Sequence, residues 1–189
     1  MKPVSILSVV PVVLALWGAL PAQAQQLVPA QSEIGFVSRQ MGVPVEGQFK
    51  RFDATLQFNP SQPQAAKIAI NVETGSATLG VRETDAELPK ATWFNVPAFP
   101  KATFQSTAVK RLDATRFEVT GQLTVKGVSA PVVVPVTLAQ NGAQTVATGV
   151  FPIKRLTFKV GDKEWSDISM VADEVQVKFK LALTGVGKL

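Results

Sequence analysis

From Phe117 to Val125 the chain alternates without a break. Phe117, Val119, Gly121, Leu123 and Val125 are apolar or glycine, and Glu118, Thr120, Gln122 and Thr124 between them are polar. A period of two sends the two sets to opposite faces of a β-strand, one buried and one wet. The same pattern recurs at Val175, Val177, Phe179, Leu181 and Leu183, and at Val132, Val134, Val136 and Leu138. Shorter runs occur at Ile34 and Phe36, at Val45, Gly47 and Phe49, at Ala54, Leu56 and Phe58, and at Ile68, Ile70 and Val72. Ala102, Phe104, Ser106 and Ala108 form another set, as do Ala147, Gly149, Phe151 and Ile153. The alternation predicts about nine amphipathic strands.

Turn signals punctuate the runs. Met41-Gly42, Asn59-Pro60, Lys126-Gly127 and Asn141-Gly142 each separate two of them, and Asn141-Gly142 is the strongest hairpin signal. Pro131 and Pro135 share one strand, which points to an edge or a strand start, because proline has no N–H for the ladder. Gly47, Gly121 and Gly149 lie inside strands and read as bends or bulges. Val81 to Leu88 predicts the one short helix, with Ser76 or Thr78 as cap and Pro89 as stop. Arg155 to Met170 reads as irregular. An amphipathic sheet of this size must split into two packed layers or close on itself. Periodicity leaves both open: a β-sandwich with a solid core, or an antiparallel closed barrel of about eight strands with an interior wide enough for one small ligand.

Composition removes most chemistries. The 189 residues include no Cys, no His and no Tyr. Disulfides, thiolate nucleophiles, Cys-based zinc sites and the Ser-His-Asp triad are therefore excluded. At the N-terminus, Lys2, the apolar run Val4 to Leu20 and the small-x-small site at Pro21-Ala22-Gln23-Ala24 have the three-part layout of a secretory signal peptide. This predicts residues 1–24 as a signal peptide, residues 25–189 as one exported domain, and the periplasm of a Gram-negative bacterium as its location. The net charge of +5 suits solubility or transient attraction to a membrane surface. Lys110, Arg111 and Arg116 form a small basic cluster, but the export signal and the lack of stacking motifs argue against nucleic acid.

Several phrases in order complete the reading. They include Ser32-Glu33-Ile34-Gly35-Phe36, Met41-Gly42-Val43, Thr92-Trp93-Phe94-Asn95 and Phe99-Pro100-Lys101-Ala102-Thr103-Phe104. Gly121-Gln122-Leu123-Thr124-Val125-Lys126-Gly127-Val128, Arg155-Leu156-Thr157-Phe158-Lys159-Val160-Gly161, Trp165-Ser166-Asp167 and Val171-Ala172-Asp173-Glu174-Val175 follow. Together they resemble the YceI-like family of bacterial periplasmic proteins, across nearly all of residues 25–189. The resemblance implies an all-β, lipocalin-like antiparallel barrel around a long apolar pore. It also implies a bound polyisoprenoid lipid such as an isoprenoid quinone or a prenyl diphosphate. Arg39-Gln40-Met41 stands where many members have Arg-His-Met, so no role of that histidine carries over.

A polyprenyl tail offers no hydrogen-bonding groups, so its affinity must come from apolar burial at about 0.8 kcal/mol per CH₂. The expected lining is Phe36, Phe49, Phe58, Phe104, Phe151, Phe158 and Phe179, with the adaptable thioether of Met170. A phenylalanine at strand period is equally what a plain core contains. Arg82 and Asp85 lie three apart on the predicted helix, either as a surface ion pair or with an arginine at the cavity mouth for a head group. Arg155 either pins a loop beside Trp165-Ser166-Asp167 or meets the ligand. The expectation is a non-catalytic carrier or store of isoprenoid lipid, monomeric or homodimeric. A secreted structural or adhesive module without ligand is the first alternative, and a His-free, Cys-free enzyme the second. For the enzyme, Asp85 with Glu87 and Asp173 with Glu174 are poorly placed pairs, sharing neither a helix face nor a strand face.

Overall fold

The computed structural model describes residues 25–189, so the predicted signal peptide lies outside the described residues. The alternating runs become strands β1 (Gln26–Leu27), β2 (Glu33–Gln40), β3 (Val43–Phe49), β4 (Phe52–Gln57), β5 (Lys67–Glu73) and β6 (Ala77–Thr78). A single helical turn, α1 (Arg82–Asp85), precedes β7 (Lys101–Arg111), β8 (Arg116–Val125), β9 (Val128–Asn141), β10 (Gln144–Lys154) and β11 (Glu174–Thr184). All pairings are antiparallel, in the order β4-β5-β7-β8-β9-β10-β11-β2-β3-β6, with β1 on β11.

The sheet curls until its inward faces share one core, which draws on Ile34, Val109, Phe117, Leu138 and Leu181 from five different strands and on Phe58 just past the end of β4. It is all-β and barrel-like as expected, with eleven strands rather than about eight, and the ladder keeps a seam. The end strands β4 and β6 are not paired with each other. The seam is drawn together where Lys50-Arg51 joins β3 to β4. Lys50 N donates to Ser76 O at 3.1 Å, Arg51 N to Ser76 Oγ at 3.0 Å, and Glu73 N to Arg51 O at 3.0 Å. At the far end the Gln25 side chain pairs with both backbone groups of Phe58.

Three details refine the sequence reading. The β9–β10 hairpin forms where Asn141-Gly142 predicts it, with Asn141 opposite Gln144 and Gly142 at φ +58°. Below Thr137 and Thr148 the two strands part, and β9 pairs with β8 alone along the stretch that holds Pro131 and Pro135. The prolines thus mark a locally unpaired edge inside the sheet. In β7 the register shifts between Ser106 and Ala108, a β-bulge that reverses the phase. Ala108, expected inward, is exposed, and Val109 is buried in its place.

The predicted helix from Val81 to Leu88 shrinks to Arg82–Asp85. Neither Ser76 nor Thr78 caps it; Val81 occupies the cap position without a side-chain bond. The side chain that organises the corner is Asp85, which accepts from Thr78 Oγ1 at 2.5 Å and from Leu79 N at 2.6 Å. One turn followed by Pro89 is too short to propagate as a helix on its own.

Candidate functional site

The interior of the curled sheet is hollow. Two adjoining chambers occupy it, one of about 280 Å³ towards Gln40 and Trp165 and one of about 150 Å³ towards Phe117 and Leu183. Both touch Ile34, Val72, Leu123, Phe151 and Val177, so they adjoin, and together they make up the bore. Along β11 the lining runs from Val175 to Leu183. At about 3.4 Å per residue and a barrel tilt of about 40°, the bore is about 20 Å long. The inner chamber carries no charged or polar residue in its wall. Its end is stopped by Phe58 and Phe117, packed edge to face at 5.3 Å.

All seven predicted phenylalanines reach this bore. Phe36, Phe49 and Phe158 line the outer chamber, Phe58, Phe104 and Phe179 the inner one, and Phe151 both. Three of them explain the strand glycines. A Cβ on Gly47 would lie 2.2 Å from Cζ of Phe36; one on Gly121 would lie 2.5 Å from both Cζ of Phe104 and the Gln105 carbonyl oxygen; and one on Gly149 would lie 2.3 Å from the Pro135 carbonyl oxygen and 2.6 Å from Cζ of Phe179. Gly47 sits in an unbroken ladder and is no bulge, whereas Gly121 lies opposite the β7 bulge and Gly149 lies where β10 parts from β9, as the sequence suggested for strand glycines. Each is a seat that lets a ring lie against the wall instead of across the bore. That arrangement lets a phenylalanine-rich interior stay open.

The predicted polar residues and Met170 sit elsewhere. Met170 is half-exposed on the rim and is absent from the lining of both chambers. Arg82 is exposed, and Asp85 is not its ion partner among the described residues. The Thr78 hydroxyl, followed by the Leu79 N–H, holds the Asp85 carboxyl below the ordinary carboxylate value. Asp85 thereby fixes Leu79, which does line the outer chamber.

Arg155 borders the outer chamber and is only 3% exposed. Nε donates to Ala172 O at 3.0 Å, Nη1 to Val160 O at 3.0 Å and to Gly161 O, and Nη2 to Trp165 O at 2.7 Å and Val171 O at 2.6 Å. A guanidinium has five N–H groups, and five carbonyls take them. Burial lowers its pKa from the ordinary arginine value, and the Asp173 charge opposes that shift. The side chain is a staple across residues 160–172, with no donor left over for a head group.

Lys126, which sequence reading passed over as a turn residue, is a second staple. Its side chain is 7% exposed, and its ammonium donates to Thr92 O at 3.1 Å, Lys159 O at 2.6 Å and Asp162 Oδ1 at 3.4 Å. Other lining residues were missed too: Phe117, Phe94, Leu88, Trp93, Trp165, and the uncharged pair Ser38 and Gln40. The last two were legible, since they continue the inward face of Ile34 and Phe36 at period two. Among the described residues, no cluster of acidic side chains could hold a metal, and no helix is long and apolar enough to cross a membrane.

Comparison with known proteins agrees with this architecture. The sequence model of the YceI-like domain matches residues 25–183. The UPF0312 protein of Azotobacter vinelandii is 38% identical over 88 residues, 47% of this chain and 46% of its own. Protein YceI of Salmonella arizonae is 38% identical over 96 residues, 51% of this chain and 50% of its own. The chain thus spans about half the length of the curated relatives it matches. Among solved structures, BcnA of Burkholderia cenocepacia superposes with a TM-score of 0.81 at 42% identity, over 83% of this chain and 99% of that one. A polyisoprenoid binding domain from Saccharophagus degradans shares the fold, with a TM-score of 0.70 at 15% identity over 85% of this chain and 98% of that one.

Proposed function

The chain belongs to the YceI-like domain family, and from that membership and the shape of its interior we propose that it binds a polyisoprenoid lipid by the tail and carries or stores it without chemical conversion. The observation that supports this reading is the bore, about 20 Å long and apolar to its inner end. The polyisoprenoid-binding domain of Saccharophagus degradans has the same fold, which makes a lipid of that class the first candidate. The N-terminal export pattern supports a periplasmic site of action.

The lining also ranks the head groups. A diphosphate carries several negative charges and needs cations to replace its water. The cation bordering the outer chamber is Arg155, and carbonyls occupy all five of its donors. Glu87, also in that wall, is anionic and paired with Lys90. Ser38, Gln40 and Thr84 offer uncharged hydrogen-bonding groups at the entrance. A neutral head such as a quinone fits this set, and a prenyl diphosphate does not.

A head-group hydrogen bond contributes about 1 kcal/mol, whereas each buried CH₂ contributes about 0.8 kcal/mol. Affinity therefore follows the tail. Titration of a quinone series with lengthening prenyl tails, read from Trp93 and Trp165 fluorescence, tests this. Affinity rises with tail length and levels off once the tail fills about 20 Å. Equal affinity for the shortest and longest tails overturns the proposal, and stronger binding of a prenyl diphosphate than of a quinone of the same tail overturns the head-group ranking.

A further inference from the structure

The exposed large apolar side chains are not scattered over the surface. Among the described residues nine qualify, and Met41, Val43, Val81, Trp165, Ile168 and Met170 lie on the segments that frame the outer chamber. Met41 N donates to Met170 O at 2.9 Å, and Gln40 bridges to Val171, so the β2–β3 turn and the 163–171 segment form one rim. Val81 starts the turn whose Thr84 and Glu87 face the same chamber. The opening is thus ringed by greasy tips, while its immediate wall carries Ser38 and Gln40.

The turn itself supplies a second observation. Met41 and Gly42 have φ of +48° and +80°, the pair of positive angles of a type I′ hairpin, where Asn, Asp or Gly is favoured. A large unbranched side chain there is locally costly. The β8–β9 hairpin makes a similar exception at Lys126, φ +48°, and the reason is visible in the three acceptors its buried ammonium reaches. Among the described residues the Met41 side chain makes no such hydrogen bond and is 71% exposed. A residue held in a poor conformation and presented to solvent fits a contact outside the chain.

We propose that this rim docks on a phospholipid bilayer, the apolar tips entering the interface so that a lipid tail passes between membrane and bore without crossing water. The choice of a bilayer as occupant rests on the lipid-binding reading above. It also follows from the rim's form, separate tips on three segments around an opening, which suits a fluid phase better than a complementary protein face. The exposed charges between the tips are of both signs: Arg39, Arg82 and Lys163 against Glu83, Glu164 and Asp167. Attachment is therefore by insertion rather than by net charge, and screening by salt leaves it in place.

The test uses the chain from Gln25 onward, which holds every strand and the core described above. Its flotation with phosphatidylcholine vesicles free of prenyl lipid is compared with that of a variant carrying Met41→Asn, Ile168→Ser and Met170→Ser. Asparagine suits the left-handed conformation, so the variant melts no lower than the parent. Partition falls by about tenfold or more, and the vesicle-induced blue shift of Trp165 is lost. Binding of a short-tail quinone without vesicles is unchanged. Unaltered partition of the variant overturns the proposal, as does parent partition that high salt abolishes. Parent self-association that the variant loses, in the absence of vesicles, assigns the rim to a second copy of the chain and also overturns it. A parent that binds vesicles but no short-tail quinone removes the cargo reading alone.

Discussion

Replacing Gly47 with alanine tests whether the bore stays open because its rings have seats. Gly47 faces Phe36 across the β2–β3 ladder, and its new Cβ would lie 2.2, 2.6 and 2.8 Å from three atoms of the Phe36 ring. Those three nearest contacts all belong to the ring, and Gly47 is outside the left-handed region, so the backbone accepts alanine and the ring must move. Phe49, its centroid 5.5 Å away, blocks one side, and Phe94 backs Phe49 at 5.7 Å. The ring is left with the outer chamber of about 280 Å³ as its way out. Overpacking of this kind costs about 1–3 kcal/mol. The stiffer unfolded chain offsets about 0.4–1 kcal/mol. The net loss is about 1–2 kcal/mol, a fall in melting temperature of roughly 2–8 °C for a domain of this size. Prenyl-quinone affinity falls as well, because the displaced ring takes tail volume. Phe36→Leu in the same chain removes the clash, so the double variant is more stable than the two single changes predict. Thermal unfolding followed by circular dichroism and a fluorescence titration measure both effects. Additivity of the two substitutions within about 0.5 kcal/mol would refute the seat.

Other perturbations probe the staples and the charges. Arg155→Lys leaves at most three donors for five buried carbonyls, and a loss of about 3 kcal/mol is expected, with faster amide exchange across residues 156–172. Native exchange rates in that segment would count against the staple. Lys126→Met strands Thr92 O and Lys159 O while the half-exposed Asp162 regains water; the midpoint of urea unfolding drops by an amount equivalent to about 2 kcal/mol with the slope unchanged. For pH, hydrogen bonds from Thr115 N and the Arg116 side chain push Asp113 down to about 2, and those of Ser169 lower Asp167 as Thr78 and Leu79 lower Asp85. Folded values below the unfolded 3.8 mean that this stabilisation is present above about pH 4 and is lost as pH falls towards about 2. With no histidine in the chain, the melting temperature is flat between about pH 5 and 8, and a step in that window would contradict the assignment.

Much of this molecule follows from the order of its residues. Period-two alternation identifies the strands and which side chains point inward, down to Phe36, Phe104 and Phe179. The glycine-bearing pairs Met41-Gly42, Lys126-Gly127 and Asn141-Gly142 mark three hairpins, and the absence of Cys and His rules out whole classes of chemistry. These are local properties, set by backbone geometry and residue type. What the chain could not announce depends on partners far along it. The bulge that exchanges Ala108 for Val109 comes from the register with β8. Gly47, Gly121 and Gly149 become ring seats only when particular strands lie side by side. Arg155 is legible as a residue that pins a loop or meets a ligand, but which of the two, and the burial of Lys126, depend on backbone carbonyls, which every residue possesses and no sequence pattern distinguishes. Whether an apolar interior is filled or hollow is likewise a matter of how rings from separate strands lie against each other, so only the assembled sheet decides that this one keeps a bore.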